Sequence, residues 1–248
     1  VQLVAQLRDL GVRTGDVLVV HTSFREVAPV DGGPAGLIEA LLEALGDSGT
    51  LVMPSMTGGS DSEPYDPART PTRDMGVVAE TFWRMPGVLR GDHPTSTFAA
   101  TGRHAAAIVA PQPLSPPHGL DSPIGRVFEL GGSTLLLGVG HDANTAMHLA
   151  EDLAGVPYRS RDWALVTTDD GVRTVAVDEP NHCCQGFAVA DQWLRGQRTG
   201  TVGNARARLF TLADLIDVAV PRLAADPLTL LCPRDGDCDD CAEAYASL

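Results

Sequence analysis

An α/β domain is the fold class this sequence predicts: a central mostly parallel or mixed sheet flanked by helices, with a small antiparallel appendage. Three observations lead there. Apolar, strand-like runs alternate with stretches of helical periodicity from "DVLVVHTS" onward. The segments between them carry Gly, Pro and Asp where the chain must turn. Late in the chain, "RDWALVTTDDGVRTVAVDE" alternates apolar and polar residues on two arms, as an antiparallel hairpin does.

In chain order, "DVLVVHTS" is a buried strand, and "PAGLIEALLEALG" repeats its apolar positions at helical spacing and ends on Gly46, a C-cap residue. "GTLVMPSM" is the next strand, so the three form a right-handed crossover unit with parallel strands. Residues 57–76 are rich in Gly, Pro, Ser and Asp without a period, which predicts a long surface or lid loop. "VVAETFWRM" reads as a helix, "HPTSTFAATG" as a short extended segment and "RHAAAIVA" as a helix. After a Pro-rich loop come a helical turn, "IGRVFELG", and a core strand, "STLLLGVG". The hairpin, with Asp170-Gly171 as its turn, precedes an amphipathic helix, "TLADLIDVAVPRLAAD", and a Cys-containing tail over 228–248. No repeat divides the chain, so 1–248 is expected to be a single domain.

The 248 residues carry a formal charge of -14, which argues against a nucleic-acid partner because phosphate binding needs a basic surface. A cationic small molecule suits it better. Lysine is absent, so every fixed side-chain cation is an arginine. There is no run long and apolar enough to predict a membrane span, and the N-terminal stretch lacks the build of a signal peptide. A cytoplasmic protein, monomer or homodimer, is expected. Five cysteines in such a chain point to thiols or a metal site before disulfides.

The stretch "GHDANTAMHLAED" raises the main chemical question. Asn144 and Thr145 are N-cap residues, and His148 and Glu151, three apart, fall on one face of the helix that follows. An imidazole with a carboxylate to orient it is a general base. The helix dipole lowers the imidazole pKa and the carboxylate raises it, so no net shift is expected. The same spacing also fits a helix-capping histidine beside a solvated glutamate.

In "VVHTSFREVAPVDGG" a strand ends in small hydroxyl residues, and Gly32-Gly33 open a helix, exposing backbone donors to a pantetheine or pyrophosphate. A bland strand-to-helix connection fits as well. His21, at the end of a buried strand, reads as a packed, hydrogen-bonded histidine, whereas His182 lies in "DEPNHCCQGF" among acids and thiols. Cys232, Cys238 and Cys241 form C-x5-C-x2-C, which with His182 or Cys183 would complete a tetrahedral structural zinc site; reduced thiols are the default.

Several collinear stretches resemble the aminoglycoside 3-N-acetyltransferase (antibiotic N-acetyltransferase) family. They are "GVRTGDVLVVHTSFREVAPVDGGPAGLIEALLEALGDSGTLVMPS", "YDPARTPTRDMG", "HPTSTFAATG" and "SPIGRVFELGGSTLLLGVGHDANTAMHLAE", with a weaker match in "GTVGNARARLFTLADLIDVA". The resemblance implies transfer of an acetyl group from acetyl-CoA to the 3-amino group of a 2-deoxystreptamine aminoglycoside, hence antibiotic resistance. It implies a non-GNAT fold and no catalytic metal. The family's base aligns with His148, and the CoA loop with Ser23, Phe24, Arg25, Val27 and Gly33. Thr97 stands in another wall of that cleft, at a position the family often fills with Ser. Asp178 and His182 are secondary polar groups of the site, although the His-Cys-Cys segment departs from an acid-rich family pattern. Asp61, Glu63, Asp66 and Asp74 in the lid-like loop offer carboxylates to a polycation. Direct transfer requires no nucleophilic thiol, so Cys183 and Cys184 are expected to be dispensable. Two other readings stay open: an acetyltransferase of a different amine in secondary metabolism, and a metal-dependent hydrolase using His148, Glu151, His182 and cysteines.

Overall fold

A computed structural model describes residues 2–58, 63–168 and 170–248. The chain runs α1 (Gln2–Leu10), β1 (Val17–Thr22), α2 (Phe24–Val27), α3 (Gly33–Leu45), β2 (Thr50–Pro54), α4 (Gly76–Trp83), β3 (Leu89–Arg90), β4 (Phe98–Gly102), α5 (Ala105–Ile108), α6 (Pro123–Glu129) and β5 (Ser133–Leu137). There follow α7 (Ala146–Ala154), β6 (Ser160–Thr168), β7 (Gly171–Glu179), α8 (Ala190–Trp193), β8 (Arg198–Val202), β9 (Ala205–Thr211), α9 (Leu212–Ala225) and α10 (Asp239–Ala246).

The main sheet has the order β3-β4-β2-β1-β5-β9-β8. Only its centre is parallel, β2-β1-β5; the flanking β4 and β9 pair antiparallel to it. The sheet is therefore mixed, and β6 with β7 form the small antiparallel appendage. Period-two alternation divides the core between the two sheet faces. Val17 and Val19 pack with residues of α6, α7 and α9 on one side, while Leu18 and Val20 pack with α1, α3 and α4 on the other. Each such fully buried aliphatic side chain favours the folded state by about 1.5–3 kcal/mol over exposure.

Local details depart from the expectations where hydrogen bonding decides. "IGRVFELG" is a helix proper, because the Ser122 hydroxyl caps it by accepting from the Gly125 N–H at 3.2 Å. "RHAAAIVA" yields only the single turn α5. The β6-β7 register pairs Thr168 with Gly171, so Gly171, at φ 112°, opens the second arm rather than closing the turn. In the 57–76 segment, Tyr65 is buried, pairs with Val166 and donates from its hydroxyl to Gly91 O at 2.8 Å. The Thr72 N–H and hydroxyl both reach Glu80 Oε2. The described part of this segment is thus fastened to the body at two points. No helix among the described residues is long and apolar enough to cross a membrane.

Candidate active site

The carboxyl ends of the parallel strands, where α/β sheets bind ligands, border a cavity of about 710 Å³. Its walls include His21 near the end of β1 with Ser23, Phe24 and Arg25 after it, Pro54 at the end of β2 with Met56 after it, and Asn144, Thr145 and His148 after β5. A second cavity of about 380 Å³ is lined by Asp74, Ser96, His118, Asp162, Glu179 and His182, with Arg73 the one Arg in its wall. His148 lines both.

Chain entry into α7 sets the position of His148. Asn144 Oδ1 accepts from the Ala146 N–H at 3.2 Å, and the helix then carries His148 in its first turn and Glu151 one turn on. Glu151 is fully buried, yet its carboxylate is surrounded by donors. His148 Nδ1 lies 2.8 Å from Oε2; His182 Nε2, at 2.8 Å, and the Tyr158 hydroxyl, at 2.6 Å, both reach Oε1. Burial alone would raise the Glu151 pKa, but the hydrogen bonds from His148 and His182 outweigh it and hold the carboxyl at about 2.

These contacts fix the tautomers. The Cys184 N–H donates to His182 Nδ1 at 3.1 Å, so the His182 proton sits on Nε2 and faces Glu151. Nδ1 of His148 donates to Glu151 in the same way, leaving Nε2 as the basic atom. The ring is held from both sides, by His118 stacked at 5.1 Å and by the edge of Phe187 at 5.0 Å. Burial works against a charged His148; contacts with Cys184 and Glu151 favour it and prevail, raising its pKa well above 6.5. The balance expected from dipole and carboxylate does not hold, because Glu151 is a buried, fully ionised partner rather than a solvated one.

A zinc ion bound by two imidazoles and a carboxylate at 2.0–2.2 Å would hold its ligand atoms about 3.3 Å apart. The 2.8 Å separations in this triad are those of hydrogen bonds. The three groups thus form a hydrogen-bonded network around Glu151, suited to holding and passing a proton.

Similarity to known proteins points the same way. The profile of the aminoglycoside 3-N-acetyltransferases matches residues 19–224. This chain belongs to the aminoglycoside 3-N-acetyltransferase family. It is 51% identical, over 95% of its length and 91% of the relative's, to aminoglycoside N(3)-acetyltransferase IV of Salmonella sp. A relative from Streptomyces paromomycinus, aminoglycoside N(3)-acetyltransferase VII, is 32% identical over 88% of this chain and 89% of its own. Among solved structures, apo aminoglycoside acetyltransferase AAC(3)-IVa superposes with a TM-score of 0.94 at 49% identity, covering 99% of this chain and 96% of that one. A histidine-to-alanine variant of that enzyme was crystallised with a gentamicin. AAC-IIIb bound to CoASH superposes with a TM-score of 0.82 at 28% identity, covering 90% and 95%.

Within this acetyltransferase framework, the residues singled out in the sequence fall into distinct places. His148, Glu151 and His182 are together. Ser23, Phe24 and Arg25 line the larger cavity, whereas Val27 is buried in the core and Thr97 donates to Gly91 O at 3.0 Å as a structural hydroxyl. Gly32 and Gly33 take φ of 75° and 64° at the start of α3 and do not belong to the cavity wall. Asp178 is not in the site: it forms a two-pronged ion pair with Arg161 on the outer face of β7, at 2.7 and 2.9 Å. Its neighbour Glu179 takes the inward position. Among the lid-loop acids, Asp74 lines both cavities, Asp66 caps its own turn by accepting from the Ala68 N–H, and Glu63 borders a small separate pocket; Asp61 lies outside the described residues.

Glu179, Asp162, His118, Tyr158 and Phe187 were not foreseen. One signal was available for Glu179: Val175, Val177 and Glu179 share a strand face by period two, and Val177 is fully buried. His21 was expected to be hydrogen-bonded, yet its Nε2 is buried without a partner among the described residues. Burial, reinforced by His141, lowers its pKa to about 4 and keeps it neutral beside the cavity. Cys184, at φ 59°, is a non-glycine residue in the left-handed region, a conformation costing about 1–3 kcal/mol that persists where surroundings enforce it. Its sulfur lies 3.7 Å from His148 Nε2.

Proposed function

We propose that this chain transfers the acetyl group of acetyl-CoA to the 3-amino group of 2-deoxystreptamine aminoglycosides, with His148 as general base and no covalent enzyme intermediate. The observation that carries the reading is the position of His148, where a cavity large enough for the cofactor arm meets an acidic one. Acetyl-CoA enters along Ser23, Phe24 and Arg25, and the polyamine binds against Asp74, Asp162 and Glu179. As the amine attacks the thioester carbonyl, His148 Nε2 takes its proton and Glu151 stabilises the imidazolium. The first N–H groups of α2, at Phe24 and Arg25, have no acceptor within the helix and supply donors for the developing oxyanion. The CoA thiolate then leaves and takes up a proton. Names and complexes of the relatives support this acceptor class, and the negative charge supports a polycation. Measuring CoA release with a panel of amines, followed by mass spectrometry and NMR of the product, tests it. Acetylation at the 3-amino group is expected; turnover of uncharged or anionic amines with no aminoglycoside acetylated would overturn the acceptor assignment.

Glu179 defines the acceptor side. Burial raises its pKa to about 7, with His148 opposing and Asp162 adding to the rise. It is ionised above that pH, so a bound ammonium group is held best there. A charge-assisted hydrogen bond contributes about 1.5–3 kcal/mol, so Glu179→Gln is expected to raise the aminoglycoside KM about 10- to 100-fold with little change for acetyl-CoA. In the wild type that KM should rise as pH falls below 7. A KM indifferent to both changes would remove Glu179 from the acceptor site.

The Cys184 contact supports a second reading, in which the thiol first takes the acetyl group and His148 takes its proton. Against it, direct transfer from the thioester to the amine needs no nucleophilic thiol once His148 serves as the base, and the Cys184 sulfur has a second partner in His182 O at 3.5 Å. Cys184→Ala is therefore expected to retain substantial transfer. An acetylated Cys184 trapped without acceptor, together with an inactive Cys184→Ala, would establish the two-step route instead.

A further inference from the structure

We propose that Cys183, Cys232, Cys238 and Cys241 hold one structural zinc ion as four thiolates, and that the ion clamps the C-terminal segment onto the loop carrying His182 and Cys184. All four sulfurs lie within 4.8 Å of one another. Cys183 Sγ is 3.4 Å from that of Cys232 and 3.6 Å from that of Cys241. Thiolates around a tetrahedral zinc at 2.3 Å sit about 3.8 Å apart, so four sulfurs converging on one point match the edges of such a site. Disulfides would pair the sulfurs in twos and have no use for a common centre. The local frame fits as well. Cys238 is the N-cap of α10 and Cys241 lies in its first turn, so one helix start presents both ends of the C-x2-C. The Cys232 N–H donates to Cys241 Sγ at 3.3 Å, the kind of outer contact that orients a thiolate ligand.

The surroundings show why a metal is needed. Of the tail beyond 226, only Leu230, Cys241 and Ala244 are buried among apolar residues. Polar residues 233–240 offer little to a core, and a metal site supplies the missing folding free energy. Cys183 lies between His182, which donates to Glu151, and Cys184, which is held in a left-handed conformation against His148. A metal at Cys183 therefore pins both neighbours and acts on the base as a positioning device. Four thiolates form a closed shell, so the ion takes no part in the transfer.

Elemental analysis of protein purified without chelator should find about one zinc per chain, released by an organomercurial. Four thiols should become reactive to Ellman's reagent only on release, and cobalt substitution should give the absorption of a tetrahedral tetrathiolate site. Cys238→Ser should lose zinc and expose the tail to protease. The wild type stripped by chelator serves if that variant does not fold. Less than about a tenth of an equivalent of zinc, iron in its place, or a Cys183–Cys232 disulfide in the mass spectrum would overturn the site. The positioning role rests on His148 being the base, and its signature is a fall in kcat in the zinc-free protein with an unchanged KM for acetyl-CoA. An unchanged kcat would refute that role and leave the metal site standing.

Discussion

His148→Ala is expected to lower kcat by about a hundredfold or more, the effect of removing a general base, while the affinity for acetyl-CoA changes little. Most of the cofactor cavity is built by other elements, Ser23, Phe24 and Arg25 after β1 and Met53, Pro54 and Met56 around the end of β2. The imidazole contributes only part of its wall. The same assignment predicts a pH profile. Only the neutral ring accepts a proton, and its pKa is raised above 6.5, so kcat at saturating aminoglycoside, where the Glu179-dependent KM does not enter, should climb with pH to a plateau reached above that value. The alanine variant should lose this limb. Near-wild-type turnover would assign the base elsewhere, and an unchanged acid limb in a weakened variant would show that another group titrates.

The parts of this protein legible in sequence are those whose signal is local. β1, β2 and β5 are unbroken apolar runs because both their faces are covered, and α3 and α9 show a clear apolar stripe. The β8-β9 hairpin is not recognisable in this way, since alternating Ala and Arg in "ARARLF" does not read as a half-buried strand. Arg206 is exposed, but Arg208 is buried, with Asp191 bonded to its guanidinium at 2.9 and 3.0 Å. Tertiary pairing, not local hydrophobicity, makes that position a core one. The site divides in the same way. His148 and Glu151 are three residues apart and visible together, whereas Tyr158, His182 and His118 reach them through turns of the fold that no spacing encodes. Asp178 and Glu179 differ by one position, and strand register alone decides which faces the cavity.

Glu151→Gln is the second change with a large expected effect, and the hydrogen-bond count sets its size. The carboxylate accepts from three donors, two at Oε1 and one at Oε2. Glutamine offers one oxygen and one NH2 group, so it cannot accept at both ends. Its oxygen satisfies most by facing Tyr158 and His182, which turns the NH2 toward His148 Nδ1. His148 must then accept at Nδ1 and carry its proton on Nε2, the wrong tautomer for a base. The analogous Asp→Asn change in a serine protease, an established case, lowers kcat about 10⁴-fold by this route. A loss of at least a hundredfold, comparable to His148→Ala, is expected. Stability supplies an independent check. The Glu151 pKa is depressed from 4.5 to about 2, so its ionised form stabilises the fold above 4.5 and that contribution disappears as pH falls through about 2. The glutamine variant should be less stable at neutral pH and should approach the wild type in acid, over that window. Turnover within a few-fold of wild type, measured with the fold intact by circular dichroism, would show that Glu151 packs beside the base without governing its tautomer.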